Sequence, residues 1–331
     1  MQKSLRSFTN YLARHQIGLP LKVITFILVG YFLRLPFFEH FVLLSNQKQD
    51  GRYQKSIWDI AFLFFHMCIF TATRATIMHY ALLPLAKLVN VPKKKHLRFA
   101  EQSYCFLWYA AAFAFGVSIM YNSPWWFDTT YFWRDYPVTD YTGAFKYYYL
   151  LQFAYTLEGL FALQIEAPRK DYNILVMHHI ITLLMISFSY GLNFTRVGNA
   201  VFVCMDLPNV FLTLAKSFNY CIPGIVCDLT FGIMVVSWIY TRVYLYGRII
   251  WSTLTEPELY VPQFALDPAS GNWFPHFFKY IIVGLMMTLY SIILFWTALM
   301  FKMIYKISTN PELKDLRSDD EDEEEDETKD K

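Results

Sequence analysis

The chain has 331 residues, of which 55% are hydrophobic and 19% aromatic, and the apolar residues come in long runs. That excludes a soluble globular enzyme and points to an integral membrane protein built from many helices. The net charge of +2 hides a segregation. Lys and Arg cluster in short segments between apolar runs, while the stretch from Ser318 to Lys331 is almost purely acidic, and no nucleic-acid partner is expected.

In chain order, Leu5, Phe8 and Leu12 alternate with Lys3, Arg6 and Arg14, which predicts a short helix lying on the membrane surface. No small-residue cleavage site follows, so no cleaved leader is expected. A span needs about 20 mostly apolar residues. Spans are expected over roughly 18–38, 57–83, 102–121, 145–166, 173–192, 197–216, 225–250 and 277–305. The fold class is therefore an all-α polytopic membrane protein with about eight spans. Residues 1–56 hold the surface helix, the first span and a loop. Residues 57–306 hold the main membrane domain. Residues 307–331 form an acidic tail with too little apolar surface to order itself. Ser318, followed by Asp-Asp-Glu, suits an acidophilic kinase.

Orientation follows the basic residues. Lys3, Arg6, Arg14 and Lys22 precede the first span, Lys93 to Arg98 follow the second, Arg169 and Lys170 the fourth, Lys216 the sixth, and Lys302 and Lys306 the eighth. With eight spans all of these share one side, which puts both termini in the cytosol; Arg52 and Lys55 fit poorly. The opposite side receives the Trp- and Tyr-rich loop from Asn122 to Gly143, read as an interfacial aromatic belt, and the loop 252–276. Asn193-Phe194-Thr195 is a glycosylation sequon, but it lies against the membrane edge and its use is not expected. The five cysteines read as small core hydrophobes.

Ionisable residues inside spans are expensive and mark function by default. Arg74, Glu158, His178, His179, Asp206, Asp228 and Arg242 qualify. Glu158 and Arg74 either pair or line a cavity, and Asp228 and Arg242 are placed nearer the ends of the seventh span. On a helix His178 shares a face with Thr182, Met185 and Ser189, whereas His179 shares a more apolar face with Leu183, Ile186 and Tyr190. In the next span Asn199, Asp206, Asn209, Thr213 and Lys216 form one polar stripe. Asn209 and His178 lie at matching depths, to within a few ångströms at about 1.5 Å per residue. Pro208 removes an amide donor, frees the carbonyl of Cys204 and predicts a kink. Such groups can simply pair across a helix interface. A His pair with Asp206 and Asn209 instead predicts a reaction site, in which a carboxylate orients a histidine and an amide holds a substrate oxygen. Zinc would want three or four converging ligands, and the eight histidines are scattered, so no metal site is expected.

The stretch from Arg169 to Tyr220 resembles the signature region of the ceramide synthases, the longevity-assurance branch of the TLC-domain proteins. It has Arg-Lys-Asp-Tyr before a span, His-His within it, Ser-Tyr near its end, then Thr-Arg-x-Gly, an Asp in the next span and Ala-Lys-x-x-Asn-Tyr. The likeness extends over roughly 95–305 and is of the fungal kind. It implies a helical barrel around a cavity in the endoplasmic reticulum membrane, and transfer of a fatty acyl group from acyl-CoA to the amine of a sphingoid base. It also implies no permanently bound cofactor, a small single-pass accessory subunit and a homo- or heterodimer. His178, His179, Asp206 and Asn209 would be catalytic, with His178 the acyl carrier. Arg169, Lys170, Thr182, Ser189, Asn199, Thr213 and Lys216 would meet substrate, and Lys93, Lys94, Lys95 and Arg98 the anionic CoA. The family usually has Asp-x-x-Asp; here the motif is Asp206-Leu-Pro-Asn209. Activity is expected if the second position only positions a group. The alternative is a TLC-domain protein that binds or moves lipid without chemistry.

Overall fold

An apolar run in hydrocarbon has to satisfy its backbone internally, and helices do this segment by segment. The computed structural model, which describes residues 11–12, 14–165, 172–261, 264–267 and 270–309, is accordingly almost all helix. In chain order the long helices are α1 (Gly18–Phe32), α2 (Asp59–Leu88), α3 (His96–Tyr121), α4 (Gly143–Ile165), α5 (Tyr172–Gly191), α6 (Thr195–Cys221), α7 (Ile225–Thr255) and α8 (His276–Thr309). Short π-helical segments interrupt α2 at Met78–Leu82 and α7 at Ile239–Leu245. One small hairpin, Leu266–Asp267 with Asn272–Trp273, is the only strand pair among the described residues.

Six of the helices, α2, α3 and α5 to α8, are long and apolar enough to cross a membrane. The other two expected spans differ. Helix α1 has 15 residues, short of the bilayer requirement of about 20. Helix α4 has 23 residues but carries Lys146, Gln152 and Glu158, all buried. Its neighbours explain that polarity: α4 packs against α2, α3, α5 and α6, so protein rather than lipid surrounds it. Helices α4, α5, α8, α7 and α6 touch in sequence and close a ring.

The loops between α3 and α4 and between α7 and α8 fold over one end of that ring. The aromatic segment is only partly a belt. Phe127 is exposed, but Trp133 is 1% exposed and packs with Phe132, Tyr136, Phe194 and Phe274 in the main core. Its polar edges are satisfied inside: Trp133 Nε1 donates to Ser252 Oγ at 2.8 Å and Tyr136 OH to Leu192 O at 2.7 Å. A buried Trp or Tyr keeps its large apolar area out of water when its one polar atom finds a partner. The sequon lies under the same cover. Asn193 is 4% exposed, its Oδ1 accepts from Tyr141 OH and its Nδ2 donates to Gly271 O. None of the five cysteines is joined in a disulfide among the described residues, and three of them are buried.

At the loop end a second polar cluster ties α2, α4 and α5 together. Lys146, 0% exposed, lies 2.7 Å from Asp59 Oδ1 in an ion pair without hydrogen-bond alignment, and it donates to the carbonyls of Ser45 and Gln54. Asp59 Oδ2 accepts from Tyr190 OH at 2.7 Å and from Ser56 N at 2.8 Å. Lys55 caps the end of α5 by donating to the carbonyls of Tyr190 and Gly191. Further inside, Arg74 Nε pairs with Glu158 Oε1 at 2.9 Å, so these two intramembrane charges satisfy each other.

Candidate active site

The ring encloses a cavity of about 560 Å³. On α6 its lining runs from Val197 to Lys216, about 28 Å at the helical rise. Toward the loop end the walls are mostly apolar, with Ile186, Phe188, Phe194, Val201, Phe202, Ile282 and Leu289 beside Tyr149 and Ser189. Toward the other end the lining turns polar, with His178, His179 and Thr182 from α5, Gln152 and Thr156 from α4, Asp206, Asn209 and Lys216 from α6, and Arg242 from α7.

Helix α5 presents both histidines to this space. Successive residues are turned by about 100°, so the rings reach different walls. His178 lies edge-on to Trp296 of α8, with ring centroids 5.5 Å apart. His179 lies against α4, where Gly159 makes room; a Cβ there would sit 2.9 Å from His179 Cε1. The sequence assigns His179 to an apolar face, and Leu183 and Tyr190 of that face do stay off the cavity. His179 and Ile186 nevertheless line it together with Thr182, Met185 and Ser189. The Nδ1 atoms of both histidines and Oγ1 of Thr182 are buried with no hydrogen-bond partner among the described residues. The Ser189 hydroxyl is used locally, donating to Phe194 O at 2.8 Å.

The stripe on α6 divides. Asp206, Asn209 and Lys216 line the cavity, whereas Asn199 and Thr213 do not. Asn199 is buried and its Oδ1 accepts from Trp125 Nε1 at 3.2 Å. The Thr213 hydroxyl bonds back to Asn209 O at 2.7 Å. Asp206 was expected beside a histidine. Its Oδ2 instead accepts from Gln152 Nε2 at 2.6 Å, and Gln152 also reaches Tyr148 OH. Sequence reasoning did not name Gln152, although Gln152 and Thr156, four apart on α4, carried the signal.

Arg242 needs the largest correction. It is not near an end of its span but in the π-helical segment in the middle of α7, buried and on the cavity wall. Such segments inside α-helices often mark functional sites. One terminal nitrogen, Nη2, donates to Asn209 Oδ1 at 2.7 Å and to Met205 O at 2.7 Å. Helix α6 runs unbroken through Pro208. The backbone carbonyl that meets Arg242 is Met205, next to the one that Pro208 frees. The guanidinium lies 4.1 Å over the Trp238 ring. Trp238 Nε1 in turn donates to Thr297 Oγ1 at 2.9 Å, next to the Trp296 that faces His178. Arg242 is within electrostatic reach of both His178 and Asp206. Asn209 thus supplies an acceptor oxygen, which an Asp at that position would also supply.

Of the remaining candidates, Lys93 to Lys95 form an exposed turn before α3, and Arg98 pairs with Glu101 at 3.2 Å; none of these lines the cavity. Asp228 stands in the first turn of α7. Arg169, Lys170, Ser318, the acidic tail and nearly all of the surface helix lie outside the described residues. No three His, Cys, Asp or Glu side chains converge as a metal-ligand group among the described residues.

A helical membrane barrel around a mostly apolar cavity, with polar side chains gathered toward one end, has room for an amphipathic molecule. Comparison with known proteins gives the family: the TLC domain matches residues 98–302. The chain is 36% identical to sphingosine N-acyltransferase lag1 of Schizosaccharomyces pombe over 293 residues, covering 88% of this chain and 75% of that protein. It is 36% identical to ceramide synthase LAG1 of Saccharomyces cerevisiae, over 84% of this chain and 69% of the relative. It is 31% identical to ceramide synthase 4 of Bos taurus, over 67% and 54%. The chain belongs to the longevity-assurance, or ceramide synthase, family of TLC-domain membrane proteins.

Proposed function

We propose that this protein is a ceramide synthase that transfers a fatty acyl group from acyl-CoA to the amine of a sphingoid base by way of His178. The observation that carries the reading is a pair of half-buried histidines on the wall of one cavity, each with a buried, unpartnered Nδ1. The apolar half takes the acyl chain. The polar half takes the thioester and the amine.

In the first step a lone pair on His178 attacks the thioester carbon. A C–N bond forms, the carbonyl π electrons move to oxygen, and collapse of that oxyanion breaks the C–S bond and releases CoA thiolate. In the second step the neutral amine attacks the cationic acyl-imidazolium, a second oxyanion forms and collapses, and the C–N bond to His178 breaks to return a neutral imidazole. The amine proton passes to Asp206 and on to the thiolate, so the products are amide and CoA thiol. Gln152 holds the Asp206 carboxylate in place for that transfer. His179, bedded against Gly159, fixes the second wall. Lys216 and the basic segments from Lys93 to Arg98 and at Arg169 and Lys170 give anionic CoA a landing surface on the cytosolic side. Residence in the endoplasmic reticulum, cytosolic termini and an accessory subunit belong to the same proposal.

The test uses purified protein with labelled acyl-CoA and a long-chain base. N-acyl product dependent on both substrates is expected. Absence of product under conditions that support a known synthase leaves lipid binding without chemistry as the reading.

A further inference from the structure

Both steps of the proposed reaction develop negative charge on the same carbonyl oxygen; His178 is spent as the nucleophile and Asp206 carries no positive charge, whereas a guanidinium is a permanent cation. Resting on that reading, we infer that Arg242 is the oxyanion-binding catalytic residue of the cavity.

The geometry of Arg242 separates a held end from a free one. Nη2 is clamped by two oxygens, Asn209 Oδ1 and Met205 O. Nε is buried and has no partner among the described residues, although the residue lines the cavity. A buried guanidinium with a spare N–H forfeits free energy unless something accepts from it. In a structural arginine that N–H would be used. The Arg74–Glu158 pair shows the contrast inside the same molecule: there Nε is the atom that bonds the carboxylate. The Trp238 ring beneath the guanidinium and the two clamp bonds fix its plane, so the group is held in one orientation before substrate arrives. Preorganised donors in a water-poor site are the largest common contribution to acyl-transfer catalysis. The contact chain Arg242–Trp238–Thr297, with Trp296 against His178, brings this donor and the nucleophile to one part of the cavity.

The departure Asp→Asn at 209 fits the same account. A carboxylate there would form an ion pair with Arg242 and neutralise part of its charge. The amide oxygen of Asn209 makes the positioning bond and leaves the charge for the oxyanion. Asn209 is then a positioning residue that acts through Arg242.

The test needs no turnover. Binding of a long-chain fatty carboxylate, whose anionic oxygen mimics the oxyanion, is compared with binding of the neutral fatty amide of the same length by thermal shift and calorimetry. Wild type is expected to prefer the carboxylate by about tenfold or more. Arg242→Met is expected to erase the preference, while Lys302→Met, exposed and off the cavity lining, retains it. No preference in wild type, or a preference that survives in Arg242→Met, overturns the inference whether or not the protein makes ceramide. In an active preparation, Arg242→Met lowers kcat roughly 10²–10³-fold in both acylation and transfer. Arg242→Lys recovers only part of it, because an ammonium cannot reproduce a fork held at one end and donating at the other. A kcat for either variant within threefold of wild type also overturns it. If wild type is inactive yet shows the preference, the functional reading fails and the anion site stands.

Discussion

Two buried polar clusters lie on opposite parts of this molecule and look alike in composition. At the loop end Asp59, Lys146, Tyr190 and Lys55 come together, and their polar atoms are engaged by one another or by the backbone, Asp59 Oδ1 through the Lys146 ion pair rather than a hydrogen bond. In the cavity His178, His179, Asp206, Asn209 and Arg242 do the same, yet two histidine nitrogens, the Thr182 hydroxyl and Arg242 Nε are left without partners. Buried polar groups are normally satisfied, and each exception calls for a reason. In the first cluster the bonds are spent on holding α2, α4 and α5. In the second they are held in reserve for a substrate.

The largest effect that would break this contrast is on activity. His178→Ala should reduce N-acyl transfer by roughly three orders of magnitude or more, as loss of a nucleophile does. It should leave thermal stability almost unchanged, because no hydrogen bond within the protein is lost. A stability loss comparable to that of a core substitution would move His178 into the structural class. Lys146→Met is the mirror experiment. It leaves Asp59 buried and unpaired, which costs about 3–5 kcal/mol of stability. Turnover per folded molecule should stay within a few fold, measured after removing aggregated protein. Asn209→Asp sharpens the cavity side: the bond to Arg242 is kept but the carboxylate neutralises part of its charge, so kcat should fall by roughly three- to tenfold. A large gain would show that a second carboxylate does chemistry.

The smallest effect is on the loop side and depends on pH. Burial lowers Lys55 from its ordinary 10.5 to about 8, with Asp59 opposing the shift. Below about pH 8 both folded and unfolded chains hold the proton and the penalty for burying the ammonium is complete. Between about 8 and 10.5 the unfolded chain holds more proton than the folded one, so stability rises with pH across that window. Melting curves of wild type and Lys55→Met over the same range should diverge in slope, with the variant lacking this rise. Parallel curves would remove Lys55 from the account.

How much was legible in the sequence follows the same division. The helices were readable because apolar length dictates them. The α5 and α6 motifs stood out because ionisable residues in apolar runs have few explanations. Helix α4 was harder, since its low hydropathy reflects packing against four other helices, which no window along the chain can see. Arg242 was displaced toward a helix end because the stretch Tyr246–Thr255 continues α7 beyond the apolar run, sheltered by the loops. Lys146 and Asp59 were missed as a pair because 87 residues separate them and each sits near the end of its span. The Trp133 segment read as a belt because aromatic residues suit an interface and a lid equally well. Only the partners of Trp133 and Tyr136, Ser252 and Leu192, distinguish the two.

The central claim is that the unpartnered histidine of the cavity carries the acyl group. The most direct measurement is intact-protein and peptide mass spectrometry after rapid quenching of the protein with acyl-CoA alone, without a sphingoid base. The account predicts one acyl mass increment mapped to His178, absent in His178→Ala and discharged when the base is added. An adduct mapped elsewhere, or none under single-turnover conditions in a protein that makes ceramide, would contradict it and leave direct attack of the amine on the thioester.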